Sequence, residues 1–99
     1  MRFDDHVQKA LDSLPERFQE ALTNVAIVVA DEDPDEPDLF GLWEAHEFMP
    51  DKITIFRKPL VAAFPDPAEL QEEIRITVLH ELAHYFGIDE DRLDELGYS

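Results

Sequence analysis

His80-Glu81-Leu82-Ala83-His84 is the segment of this 99-residue chain best equipped for chemistry. On a helix, residues four apart share one face and lie about 6 Å apart along it. Two imidazoles at that spacing reach one Zn²⁺ at the usual Zn–N length of about 2.0–2.1 Å. The glutamate between them then lies beside the metal, where its carboxylate takes a proton from the water the metal activates. Chance alone produces these residue types at this spacing in roughly 2% of chains of similar composition. The plain alternative is a solvated helix that happens to carry two histidines and a glutamate. Which applies depends on whether residues 80–84 are helical and where that face points.

The flanking residues predict a helix. Asp66 is a suitable N-cap, Pro67 a suitable first helical residue, and Glu69 falls at the capping-box position. Gly87 is placed to end the element. The predicted helix over 67–86 is about 20 residues, or ~30 Å long. In its C-terminal half, Ile76, Val78, Leu79, Leu82, Ala83, Tyr85 and Phe86 fill an arc of roughly 180°. His80 and His84 lie on the border of that arc, with Thr77 and Glu81 beyond it on the polar side. A histidine stripe walled by core on one side is where a metal cleft forms. An incidental exposed pair needs no such surround.

A catalytic zinc takes three protein ligands and leaves one position open. Cysteine is absent, so the third ligand is a carboxylate or one of the remaining histidines, His6 and His46. Glu90 is the first candidate, because Gly87 lets the chain turn back past the metal three residues earlier. Asp89, Asp91 and Asp94 are the alternatives, and Glu90 also suits the acidic first turn of a last helix over 88–97 capped by Asp89. His46, Arg57 and Tyr85 are candidates for an oxyanion donor, although a loop histidine is ordinarily just solvated. Tyr85 and Trp43 suit the core, and His6 is assigned no role.

The remaining elements must position this helix. Val7, Ala10, Leu11, Leu14, Phe18, Ala21 and Leu22 recur at helical spacing, broken at Pro15, which predicts helices over 4–13 and 15–22. Residues 25–29 form a β-branched run suited to a buried strand. Residues 39–43 suit a second strand, 52–57 a third, and 59–64 a helical turn. In the third, Ile53 and Ile55 alternate with Lys52, Thr54 and Phe56, which predicts one face on the core. Residues 31–38 contain six acids and two prolines, so the expectation is an extended, solvated segment without packing. It lacks the glycine and spacing of an EF-hand loop.

Acidic residues outnumber basic ones 24 to 8, for a formal net charge of −16. That excludes binding nucleic acid through its phosphates and favours cations, including metal ions and basic peptides. No apolar leader opens the chain and no segment approaches the ~18 apolar residues of a membrane span, so the expectation is a cytoplasmic protein with no membrane partner. The length suits one domain over 1–99.

The pattern His80-Glu81-x-x-His84-x-x-Gly87-x-x-Glu90 resembles the extended zincin motif. More closely, the chain is similar to the small bacterial zincin-like "minimal" metallopeptidase family, first catalogued as a domain of unknown function. The similarity includes Leu11-Asp12-Ser13-Leu14-Pro15 and Pro50-Asp51-Lys52-Ile53-Thr54-Ile55-Phe56. It continues from Thr77 through the motif to Gly87-Ile88-Asp89 and Leu96-Gly97-Tyr98. The resemblance implies an α+β zincin-like fold, with a short mixed or antiparallel sheet packed on the N-terminal helices and a long helix carrying the motif. It also implies Zn²⁺ bound by His80 and His84, Glu81 as base, and an acidic third ligand at Glu90. Here the last motif position is Glu, where the related motif has His or Asp. No methionine follows the motif, so no Met-turn is expected, nor is a large substrate subdomain downstream.

The resulting expectation is a zinc-dependent metallopeptidase, a hydrolase acting on a peptide or protein that lies as an added strand along a sheet edge, with 52–57 the candidate edge. Two other classes compete. In one, Zn²⁺ staples a non-catalytic metal-binding domain. In the other, an acidic protein contacts a basic partner and the motif is incidental.

Overall fold

Two amphipathic helices open the chain, separated where Ser13-Leu14-Pro15 cannot continue one. In the computed structural model, which describes residues 2–87 together with 91, 92 and 95, these are α1 (Phe3–Asp12) and α2 (Glu16–Leu22). Pro15 is the N-cap of α2 rather than its first helical residue, with ψ 146° in the extended region. The apolar stripe Val7, Ala10, Leu14, Phe18 and Ala21 is buried as a continuous seam across both helices. His6 is buried as well, its Nδ1 3.4 Å from Gln71 Oε1.

Three strands follow: β1 (Val25–Ala30), β2 (Gly41–Glu44) and β3 (Asp51–Phe56). They form a mixed sheet in the order β1-β3-β2, with β1 parallel and β2 antiparallel to β3. Residues 51–56 are therefore the central strand, paired on both sides. This corrects the expectation that the third strand offers an edge to a peptide, or has only one buried face. Ile53 and Ile55 lie on the core side, and Thr54 and Phe56 on the other, yet all four are buried. The physical reason is lateral cover. Thr54 stands between Val28 and Leu42, and Phe56 pairs with Ala30 and receives its neighbour Phe40 through a 2.9 Å backbone bond. Among the described residues the sheet's edges are β1 and the four-residue β2.

The acidic segment crosses from β1 to β2 and is solvated as expected, exposed at every residue except the half-buried Asp33, while surface ion pairs tie its start to the next helix. The Arg57 guanidinium donates to Asp31 Oδ1 at 3.0 and 3.2 Å, Lys58 lies 3.8 Å from Glu32, and the Lys58 N–H donates to the Asp31 carbonyl at 2.9 Å. Asp33 Oδ1 accepts from the N–H groups of Asp35 and Glu36, closing a turn. The cations come from the start of α3 (Arg57–Ala63). Pro59 is tolerated there because the first helical N–H groups have no intrahelical acceptor.

The helix α4 (Pro67–Phe86) has the predicted bounds. Asp66 Oδ2 accepts from the Glu69 N–H at 3.1 Å, and Gly87 closes the helix in the left-handed region at φ 71°. Its residues Leu70, Ile74, Val78, Leu79 and Leu82 join the α1–α2 seam, Val25, Ile53, Ile55 and Leu60 in one core. The architecture is α+β, as expected. No helix among the described residues is long and apolar enough to cross a membrane. Asp91, Arg92 and Glu95 are helical, while the rest of the last helix expected over 88–97 lies outside the described residues.

Candidate metal centre

The capped ends of α4 fix which residues come round to which side. Val78, Leu79 and Leu82 are fully buried and Ala83 nearly so, which holds the helix against the sheet and the N-terminal helices. His80 is then half-buried and His84 exposed, on consecutive turns of the same face. Ile76 is only half-buried, so the apolar arc is narrower than the sequence predicts, and the side chains of Tyr85 and Phe86 lie outside the described residues.

The polar side of that arc is not solvent. Strand β2 lies across it, burying Thr77 and leaving the Glu81 side chain only 15% exposed. The Glu81 Oε2 is 3.6 Å from His84 Nδ1. Burial raises the Glu81 carboxyl above the ordinary glutamate range. The two neighbouring imidazoles and the Trp43 N–H oppose that rise without cancelling it. A cleft of about 300 Å³ opens between Asp38, Phe40, Gly41, Thr77, His80 and Glu81.

The edge strand's backbone matters to this cleft. In an antiparallel ladder, hydrogen-bonded and non-bonded residue pairs alternate. The bonded pair at Phe40 and Phe56 puts Leu42 and Glu44 in register with β3 donors and acceptors, and turns the amides of Gly41 and Trp43 toward the free edge. Glu81 lines the cleft beside Gly41 of that strand. The Trp43 indole Nε1 is buried with no acceptor among the described residues.

Two imidazoles on consecutive helical turns, with a carboxylate beside one of them, are a donor set whose chemistry suits Zn²⁺. Among the described residues no third His, Asp or Glu joins them. Asp91 is described and exposed and is not brought to the pair. Glu90, Asp89 and Asp94 lie outside the described residues. Neither His46 nor Arg57 lines the cleft. The Arg57 guanidinium is held by Asp31, and the His46 N–H donates to Asp51 Oδ1 at 3.3 Å.

Sequence patterns pick out His80, Glu81 and His84 but not Gly41, Trp43 or Thr77. One signal was available: a lone glycine inside a strand-like run marks close approach of another backbone or helix. Residues 22–98 match the zincin-like metallopeptidase family. No curated protein matches the chain.

Proposed function

Because the chain belongs to the zincin-like metallopeptidase family, we propose that it is a zinc-dependent peptidase in which His80 and His84 hold the metal and Glu81 is the general base. The observation that carries this reading is the position of Glu81, whose side chain is only 15% exposed beside β2 and lies 3.6 Å from His84 Nδ1. When bound, Zn²⁺ supplies Lewis acidity and brings the pKa of a coordinated water to about 7. The rest falls to the chain's own residues. Glu81 accepts the proton of the attacking water and returns it to the leaving amine.

The peptide enters as an added strand on β2, through the outward amides of Gly41 and Trp43. A side chain standing off that strand over the cleft meets Phe40 and Gly41 on one side and Thr77 on the other. A formal charge of −16 favours basic peptides and speeds their approach at low salt. Glu90, three residues beyond Gly87, completes the ligand set.

Glu81→Gln separates a peptidase from a zinc-stapled domain. The variant keeps its zinc and loses at least about 100-fold in hydrolysis of unstructured basic peptides. If the wild type cuts none of them, and chelation unfolds it, the metal is a structural staple and the peptidase reading fails.

A further inference from the structure

The acidic connection from β1 to β2 ends at the metal centre. Its last acid, Asp38, lines the same cleft as Glu81, and the other acids of the segment do not. Asp31 and Glu32 hold Arg57 and Lys58, and Asp33 closes its own turn. A second turn sets Asp38 in place: the Leu39 N–H donates to the Glu36 carbonyl at 3.0 Å, and Pro37 fixes φ at the second position of that turn. Asp38 is exposed, and among the described residues no hydrogen bond or ion pair engages its carboxylate.

Asp38 lies three residues before Gly41, so their Cα atoms are no more than about 11 Å apart. A methyl built on Gly41 would in turn stand 3.6 Å from Glu81 Cγ. Between the two carboxylates the cleft offers carbon. Leu39 and Phe40 are half-buried, and Gly41 has no side chain. Thr77 turns its Cγ2 toward Gly41, since its Oγ1 donates to the Glu73 carbonyl at 2.8 Å. At about 300 Å³ the cleft is at the lower limit of a small-molecule site, which leaves room for one side chain. A long basic side chain matches this layout, because its methylenes lie along apolar surface while its charged head stays at the wet mouth.

We propose that Asp38 is a specificity residue that selects a substrate lysine or arginine beside the bond to be cut. The cleavage rests on the peptidase reading, whereas recognition of the basic side chain by Asp38 does not require it. An acidic side chain in the cleft meets like charge at the mouth, and an apolar one of the same length forgoes the ion pair.

The test is peptide binding by fluorescence anisotropy, on the chain as purified and in a Glu81→Gln background so that no probe is cut. Salt at about 0.15 M shortens screening to ~8 Å and mutes the general attraction of an acidic chain. The probes are three end-blocked peptides identical but for one central residue: lysine, norleucine or glutamate. The lysine peptide binds about five- to tenfold more tightly than the norleucine peptide, and the glutamate peptide binds weakest. Asp38→Asn, which suits the turn as well as Asp does, erases the lysine advantage, and Asp38→Lys transfers it to glutamate. Asp35→Asn removes the same charge from the same segment away from the cleft, and keeps the advantage within about twofold. With Glu81 restored, kcat/KM follows the same ranking and the cut falls beside the lysine. Equal binding of the lysine and norleucine peptides overturns the proposal, as does binding of none of the three. A lysine advantage that survives Asp38→Asn, or that Asp35→Asn removes equally, also overturns it. If the binding pattern holds but wild type cuts no peptide, Asp38 still reads the side chain and the peptidase reading falls.

Discussion

Truncating Leu82 to alanine tests whether core and metal are coupled through α4. Leu82 lies within the His-Glu-x-x-His segment but points away from the metal face, with 0% exposure. Losing its buried methyls and leaving a partly collapsed cavity costs about 2–5 kcal/mol. A domain of this size has roughly 5–15 kcal/mol of total stability, and each kcal/mol moves its melting point by about 4–8 °C. Metal-free Leu82→Ala should therefore melt roughly 8–40 °C below wild type. Zinc binding the folded state at a free concentration of about 100 Kd returns about 2.7 kcal/mol, and at about 1,000 Kd about 4.1 kcal/mol. Saturating zinc should thus bring Leu82→Ala close to the melting point of metal-free wild type. The assay is a far-UV circular dichroism melt of wild type, Leu82→Ala and Leu82→Ala/His84→Ala, each in chelator and in zinc. Metal-free melting of Leu82→Ala within a few degrees of wild type would refute the core assignment. Equal zinc stabilisation in the His84→Ala background would refute the site.

Two smaller perturbations follow from the same helix. Asp66→Ala removes the acceptor of the Glu69 N–H and should cost about 1 kcal/mol in urea unfolding, mostly recovered by Asp66→Ser. The hydrogen bond from Arg75 holds the Glu72 carboxyl below its ordinary 4.5, so this pair adds stability above that pH and loses it as pH falls through the depressed value. Arg75→Gln should return the Glu72 titration toward 4.5 by NMR and flatten the acid limb of stability. The effect will be small, because the Glu72 side chain is 54% exposed.

Local chemistry made α4 readable in the sequence. Its cap, proline and terminal glycine act within a few residues, and its bounds emerged at 67–86 as expected. The same holds for the break at Pro15 and for the strand expected over 25–29, which runs from Val25 to Ala30. What a single chain segment does not encode is which strand lies beside which. Residues 51–56 alternate like a half-buried edge strand, yet the partners on either side come from residues 25–30 and 41–44. The ion pairs of the acidic segment escape the sequence because its cations, Arg57 and Lys58, lie more than 20 residues on. At the site, the helical period brings out the histidines and Glu81. The cover over Glu81 comes from β2, and helix geometry alone points that side chain into solvent.

Metal content of the purified chain, prepared without chelator, tests the centre most directly. Wild type should carry one zinc per chain by inductively coupled plasma and native mass spectrometry, His80→Ala and His84→Ala should carry none, and Glu90→Ala should bind it more weakly. A metal-free wild type that takes up no zinc when supplied, or a His80→Ala variant that retains it, would contradict the site.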